Sequence, residues 1–177
     1  LKGQGTAILD VRRVNDSLDA RFSARKRHYL YRILNRRPPA VIEKNRVWQV
    51  KYRLDPDLLQ EGAHQLIGQH DFTTFRAAEC QAQSPIKTLE RLDIVAKGED
   101  IRVYASARSF LHHQVRSMVG SLEHVGSGNW SADDLEEALH ARDLHPRVGD
   151  HAFHQTDEGV GILAGKQADV ELRPGFV

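Results

Sequence analysis

One cysteine in 177 residues, Cys80, rules out an internal disulfide and fits a reducing compartment. No apolar run approaches the roughly 20 residues that a membrane helix needs. The first residues carry no signal-peptide pattern, so the expectation is a cytoplasmic chain with no membrane partner. HExxH, a phosphate-cradling glycine loop and a GxSxG elbow are all missing, which removes the familiar signatures of zinc peptidases, P-loop enzymes and serine hydrolases. Acidic residues are scarce in the first part of the chain. Residues 1–53 hold 14 Lys or Arg against 4 Asp or Glu, and the remainder holds 11 against 20.

What is present describes an ordinary globular domain with a core, at 40% hydrophobic and 28% charged residues. The formal charge of +1 conceals a basic lobe joined to an acidic one. A polyanionic partner on one face explains that asymmetry, and so does charge clustered on solvated surface. The chain starts Leu1-Lys2-Gly3 rather than with Met, which suggests a piece of a longer protein, processing being the other explanation.

Strands are expected at Ala7–Val11, His28–Leu34 and Arg46–Tyr52. In the second, Tyr29, Tyr31 and Ile33 share one face and Leu30 and Leu34 the other. Asp55-Pro56 supplies an N-cap and first-turn proline for a helix to about Gly68. Leu89–Ala96 and Ile101–Ala107 read as strands of a hairpin turning at residues 97–100. A helix follows over residues 108–122, with Leu111, Val115, Met118, Val119 and Leu122 at the spacing of one face. Ser131 to Asp134 forms a capping-box-like start for another helix ending near Arg142. The fold class is therefore α+β, an antiparallel sheet flanked by helices.

Three constellations can carry chemistry. Arg21, Arg25, Lys26 and Arg27, with His28, precede Tyr29 and Tyr31. Same-face tyrosines can stack on a base while the cations hold phosphates, and two core tyrosines beside a solvated edge fit as well. Gly68 to Arg76 offers core aromatics and, in Arg76, a phosphate contact; Cys80 in the polar turn beyond it reads as a small packing residue. On the helix over residues 108–122, His112 and Arg116 are four apart and share a face. Adjacent His112 and His113 would diverge by about 100° there, so they make a poor pair of ligands for one ion. His151 and His154 are too sparse to rescue a zinc site. No metal is expected.

Together, ARFSARKRHYLYRI, GQHDFTTFRAAECQAQSP and FLHHQVRSMVGSL resemble, in order and spacing, the C-terminal portion of bacterial tRNA pseudouridine synthase A. The resemblance covers roughly residues 7 to 142. It implies conversion of uridine to pseudouridine at positions 38, 39 and 40 of the tRNA anticodon stem-loop, by a homodimer without organic cofactor or catalytic metal. It implies a nucleophilic aspartate and a target base drawn out of its stack. Tyr29 matches the tyrosine that stacks on that base, and Arg116 matches the basic residue that pairs with the aspartate. Arg21, Arg25, Lys26, Arg27, Arg76 and His112 are the remaining substrate-binding candidates.

The nucleophile's motif in that family, Gly-Arg-Thr-Asp-x-Gly-Val-His, does not stand before Asp10. The expectation is thus a C-terminal domain over residues 1–146 that binds tRNA and supports an active site whose aspartate lies elsewhere. As it stands, such a chain would be inactive; the alternative is a non-enzymatic tRNA-binding module. Residues 147–177 depart from the family as a divergent tail, disordered or supplying a substitute strand at Gly159–Leu163. Its Thr156-Asp157-Glu158-Gly159-Val160 echoes the nucleophile motif without the preceding Gly-Arg or the following His, and Asp157 is read as coincidence.

Overall fold

Nine residues of alternating character, Arg27–Asn35, form strand β1 in a computed structural model that describes residues 8–19 and 23–142. The chain continues through β2 (Trp48–Val50), α1 (Pro56–Leu66), β3 (Gly68–Asp71), a 3-10 turn at Thr73–Phe75, β4 (Ile86–Lys97), β5 (Asp100–Ala107), α2 (Gln114–Gly126) and α3 (Ala132–Ala141). The five strands form one sheet in the order β2-β1-β5-β4-β3. The class is α+β as expected, but the sheet is mixed: β2 runs parallel to β1, while the other pairings are antiparallel.

The sheet buries one face because β1 and β5 hold matching alternations in register. Tyr29 lies opposite Ala105, Tyr31 opposite Val103 and Ile33 opposite Ile101. The β-bulge between Leu89 and Arg91 bends β4 where it passes the end of β5. Against this face lies a core in which Leu59, Leu66, Phe72, Phe75, Leu92, Met118, Leu122 and Leu135 are fully buried. Helix α1 packs on β4, α2 and α3. Its approach to α2 is close enough that a Cβ on Gly126 would stand 2.6 Å from Leu59 Cδ2. The Asp55 N–H donates to Gly126 O there at 2.8 Å.

Three expectations need correction. Residues 8–11 are not a strand; Ile8, Leu9 and Val11 are exposed, and among the described residues no strand pairs with them. The strand sought at Arg46–Tyr52 shrinks to Trp48–Val50. Its ladder with β1 ends where the Asn35 side chain takes the Val50 and Tyr52 carbonyls. The helix sought over residues 108–122 begins only at Gln114 and runs on to Gly126. The expected helix from Asp55 is present, with Asp55 Oδ1 accepting from the Asp57 N–H. The hairpin turns tightly at Gly98, φ 60°, between paired Lys97 and Asp100. Ser131 and Asp134 make the full reciprocal capping box. Arg21 and residues 143–177, with His151, His154, Asp157 and Gly159–Leu163, lie outside the described residues.

Two substitutions check this packing by chemical denaturation. Gly126→Ala forces Leu59 out of place in a filled core and is expected to cost about 1–3 kcal/mol. Ser131→Ala removes the α3 cap and is expected to cost about 1 kcal/mol. An unchanged midpoint for Gly126→Ala would mean that α1 and α2 do not meet this closely.

Candidate active cleft

Where β1 begins and α2 starts, Arg27, Tyr29, Tyr31, His112, His113 and Arg116 line a cavity of about 470 Å³. The period of two along β1 puts the first three on the face that carries the helices. The others arrive by a different route. After β5 the chain crosses residues 108–113 without helical structure, and His113 enters the left-handed region at φ 62° immediately before α2. That conformation is uncommon outside glycine, though less so for histidine.

Several contacts hold the crossing. Arg27 Nη1 donates to Arg108 O at 2.7 Å. The Leu111 N–H donates to the buried Gln114 side chain at 2.8 Å. The Ala77 N–H donates to His112 O at 3.1 Å, joining the second sequence block to the third. Phe110 meets Tyr29 edge-on, with centroids 5.1 Å apart.

The electrostatics locate the Arg116 charge. Burial pushes the Tyr31 hydroxyl up to about 12, and the Arg116 guanidinium partly opposes that rise. Burial also lowers the His113 pKa, with further lowering from the Arg116 and His112 charges. The Glu79 carboxylate opposes these effects, and the net shift favours the neutral imidazole. Tyr29, an aromatic face, and Arg116, a cation, are thus presented to one partly enclosed volume. Such an arrangement suits a planar ring together with a carboxylate or phosphate.

Of the candidate residues, the structure brings Tyr29, Arg27, His112 and Arg116 together at this cavity. Lys26 stands off it, paired with Glu90 at 2.6 Å. Arg25 is exposed beside it in sequence, and Arg76, half-buried after the 3-10 turn, does not line the cavity. The premise that His112 and Arg116 share a helix face fails, because His112 precedes the helix. For the same reason His112 and His113 do not diverge: their rings stack at 3.9 Å with an interplanar angle of 29°. Cys80 packs against the core, as a small apolar residue would. Phe110 opens the third sequence block but was not among the candidates, since no periodicity reaches it. Tyr31 was legible as the same-face neighbour of Tyr29.

A larger cavity, about 680 Å³, lies between β2 and the end of α2. The Tyr52 hydroxyl donates there to Glu123, a carboxylate 1% exposed, and burial followed by that carboxylate raises the Tyr52 pKa. None of the three sequence blocks contributes its candidate residues to this volume.

Among the described residues no helix is long and apolar enough to cross a membrane. A family model described as tRNA pseudouridine synthase matches residues 63–157. Proteins named tRNA pseudouridine synthase A are close in sequence. That of Xanthobacter autotrophicus is 60% identical over 143 residues, 81% of this chain and 58% of the relative. That of Azorhizobium caulinodans is 61% identical over 143 residues, 81% of this chain and 55% of the relative. That of Beijerinckia indica is 64% identical over 137 residues, 77% of this chain and 53% of the relative. The chain spans little more than half the length of these relatives. With the family model matching more than half of its residues, the chain belongs to the tRNA pseudouridine synthase family.

Proposed function

We propose that this chain is the RNA-binding and active-site-supporting C-terminal portion of an enzyme that converts uridine to pseudouridine at positions 38–40 of the tRNA anticodon stem-loop. The observation that carries this reading is the meeting of Tyr29 and Arg116, from sequence blocks far apart, at one cavity. Relatives of greater length bearing the synthase name support it.

In this reading Arg21, Arg25, Lys26 and Arg27 hold phosphates along the basic lobe, Arg76 holds one outside it, and His112 meets the substrate at the cavity edge. Tyr29 stacks on the uracil drawn out of the loop. Arg116 faces an aspartate brought by the part of the relatives that this chain does not match, and keeps it ionised and oriented. The reaction breaks the bond from the ribose to N1 of uracil and makes one to C5, while a proton leaves C5 and one is gained at N1. Product and substrate are isomers, so no redox partner or organic cofactor is required. The working particle is a homodimer in the cytoplasm, and its substrate is tRNA.

The first test is a pseudouridine assay on an unmodified anticodon stem-loop, with the chain alone, with the N-terminal portion of a relative added, and with Arg116→Ala in each. Turnover is expected only with the added portion. It should fall on the order of 100-fold or more with Arg116→Ala, since a charge partner in a confined site is lost. Turnover by the chain alone would overturn the supporting role and direct attention to Asp157. Binding without turnover in any arm would favour the non-enzymatic tRNA-binding module.

A second test uses exposed Arg25. Arg25→Ala is expected to weaken stem-loop binding regardless of sequence and to reduce the salt slope by about 1. An unchanged slope would remove Arg25 from the phosphate-binding set.

A further inference from the structure

At the mouth of the cavity, one side-chain group has a chemistry that uridine isomerisation does not use. Glu79, His112 and His113 each offer a ligand atom, and these atoms all lie within 4.8 Å of one another. His112 Nδ1 is 3.6 Å from Glu79 Oε1. The two imidazoles stack rather than diverge. The left-handed backbone at His113 puts them there, because it interrupts helical geometry between the two residues. The tie from the Ala77 N–H to His112 O carries the segment bearing Glu79 to the same place.

We infer that Glu79, His112 and His113 form a binding site for a borderline divalent transition ion of the zinc class, and that its occupancy competes with RNA at the cavity. Two imidazole nitrogens and one carboxylate oxygen are the donor set that suits zinc, with a fourth position left to water. Magnesium and calcium prefer all-oxygen shells and do not fit it. Zinc–nitrogen bonds of about 2.0–2.1 Å require the three atoms to close in and the exposed His112 ring to turn out of its stack, so that both in-plane lone pairs meet the ion. His112 and Glu79 are exposed, with side chains free to make that adjustment, while half-buried His113 fixes the anchor. At His113 the Glu79 carboxylate acts against the Arg116 charge. An ion held here occupies the edge of the volume lined by Tyr29 and Arg116. The competition clause rests on the RNA-binding reading above; the metal site does not.

The experiment titrates the full chain with zinc against a chromophoric chelator and follows cobalt(II) by its visible absorption. Unfolding curves of metal-free Glu79→Gln and His112→Gln serve as the folding control. One zinc per chain is expected, with affinity reduced about tenfold or more in each variant. The Glu79→Gln, His112→Gln double variant binding zinc as the parent does, or a parent that takes up no zinc, would overturn the site. Zinc should then weaken stem-loop binding by the parent and leave binding by Glu79→Gln unaffected. RNA binding that ignores bound zinc would overturn the competition. If no RNA binds at all, the proposed function fails while the zinc titration stands on its own.

Discussion

The turn from β5 into α2 is the constraint on which the cleft depends. β5 ends with Ala105, Ser106 and Ala107 buried, and α2 must deliver Met118, Val119 and Leu122 to the same core. Only six residues separate the two elements. Continuing the helix backward to residue 108 would extend it by more than a turn beyond the place where β5 releases the chain. The backbone instead reverses through His113 in the left-handed region. Contacts from Arg27, Ala77 and Gln114 hold the crossing from three directions. The conformational cost, on the order of 1–3 kcal/mol for such a residue, is met by this surrounding structure.

That turn decides which charges share the cavity. Arg116 is the third residue of α2, in its first turn, close enough for its guanidinium to act on Tyr31 and His113. Burial raises the pKa of Tyr31 and lowers that of His113, so both are shifted toward their neutral forms. The fixed positive charge at this edge of the cavity is then that of the arginines. A guanidinium beside neutral aromatic groups is suited to an anionic partner presented next to a planar ring. The same crossing sets His112 against His113 and draws Glu79 toward them, so one backbone device shapes both the ring-binding volume and its rim.

Local chemistry alone was enough for several elements. The Asp55 cap, the Ser131–Asp134 box and the glycine turn at Gly98 satisfy backbone groups within a few residues, and each is found where its residues announce it. The alternation of Tyr29, Tyr31 and Ile33 likewise put them on one face of β1, since a strand's side chains can point only two ways; that this face meets the core was not legible, because Leu30 and Leu34 make the other face apolar too. The apolar stripe at Met118, Val119 and Leu122 identified α2, though not where it begins. Periodicity reports which residues are buried, and residues 108–113 are buried in part without being helical.

Pairing partners and close approaches needed the tertiary structure. Ile8, Leu9 and Val11 have strand-like composition, yet among the described residues they have no neighbouring strand to bury them. The parallel ladder of β2 with β1 depends on the route of residues 36–47, which no local pattern encodes. Whether His112 and His113 point apart or stack depends on a single φ angle that the turn imposes. The amino-acid sequence by itself determined the basic lobe and the face that Tyr29 shares with Tyr31, because residue type and a period of two carry that information; Arg116 was singled out by its resemblance to the family motif, not by any period. Only the folded chain decided that Arg27, Tyr29, His112 and Arg116 meet while Lys26 and Arg76 stand aside. Side chains more than 80 residues apart are brought together by sheet register and a turn, and neither is written in the pattern of either segment.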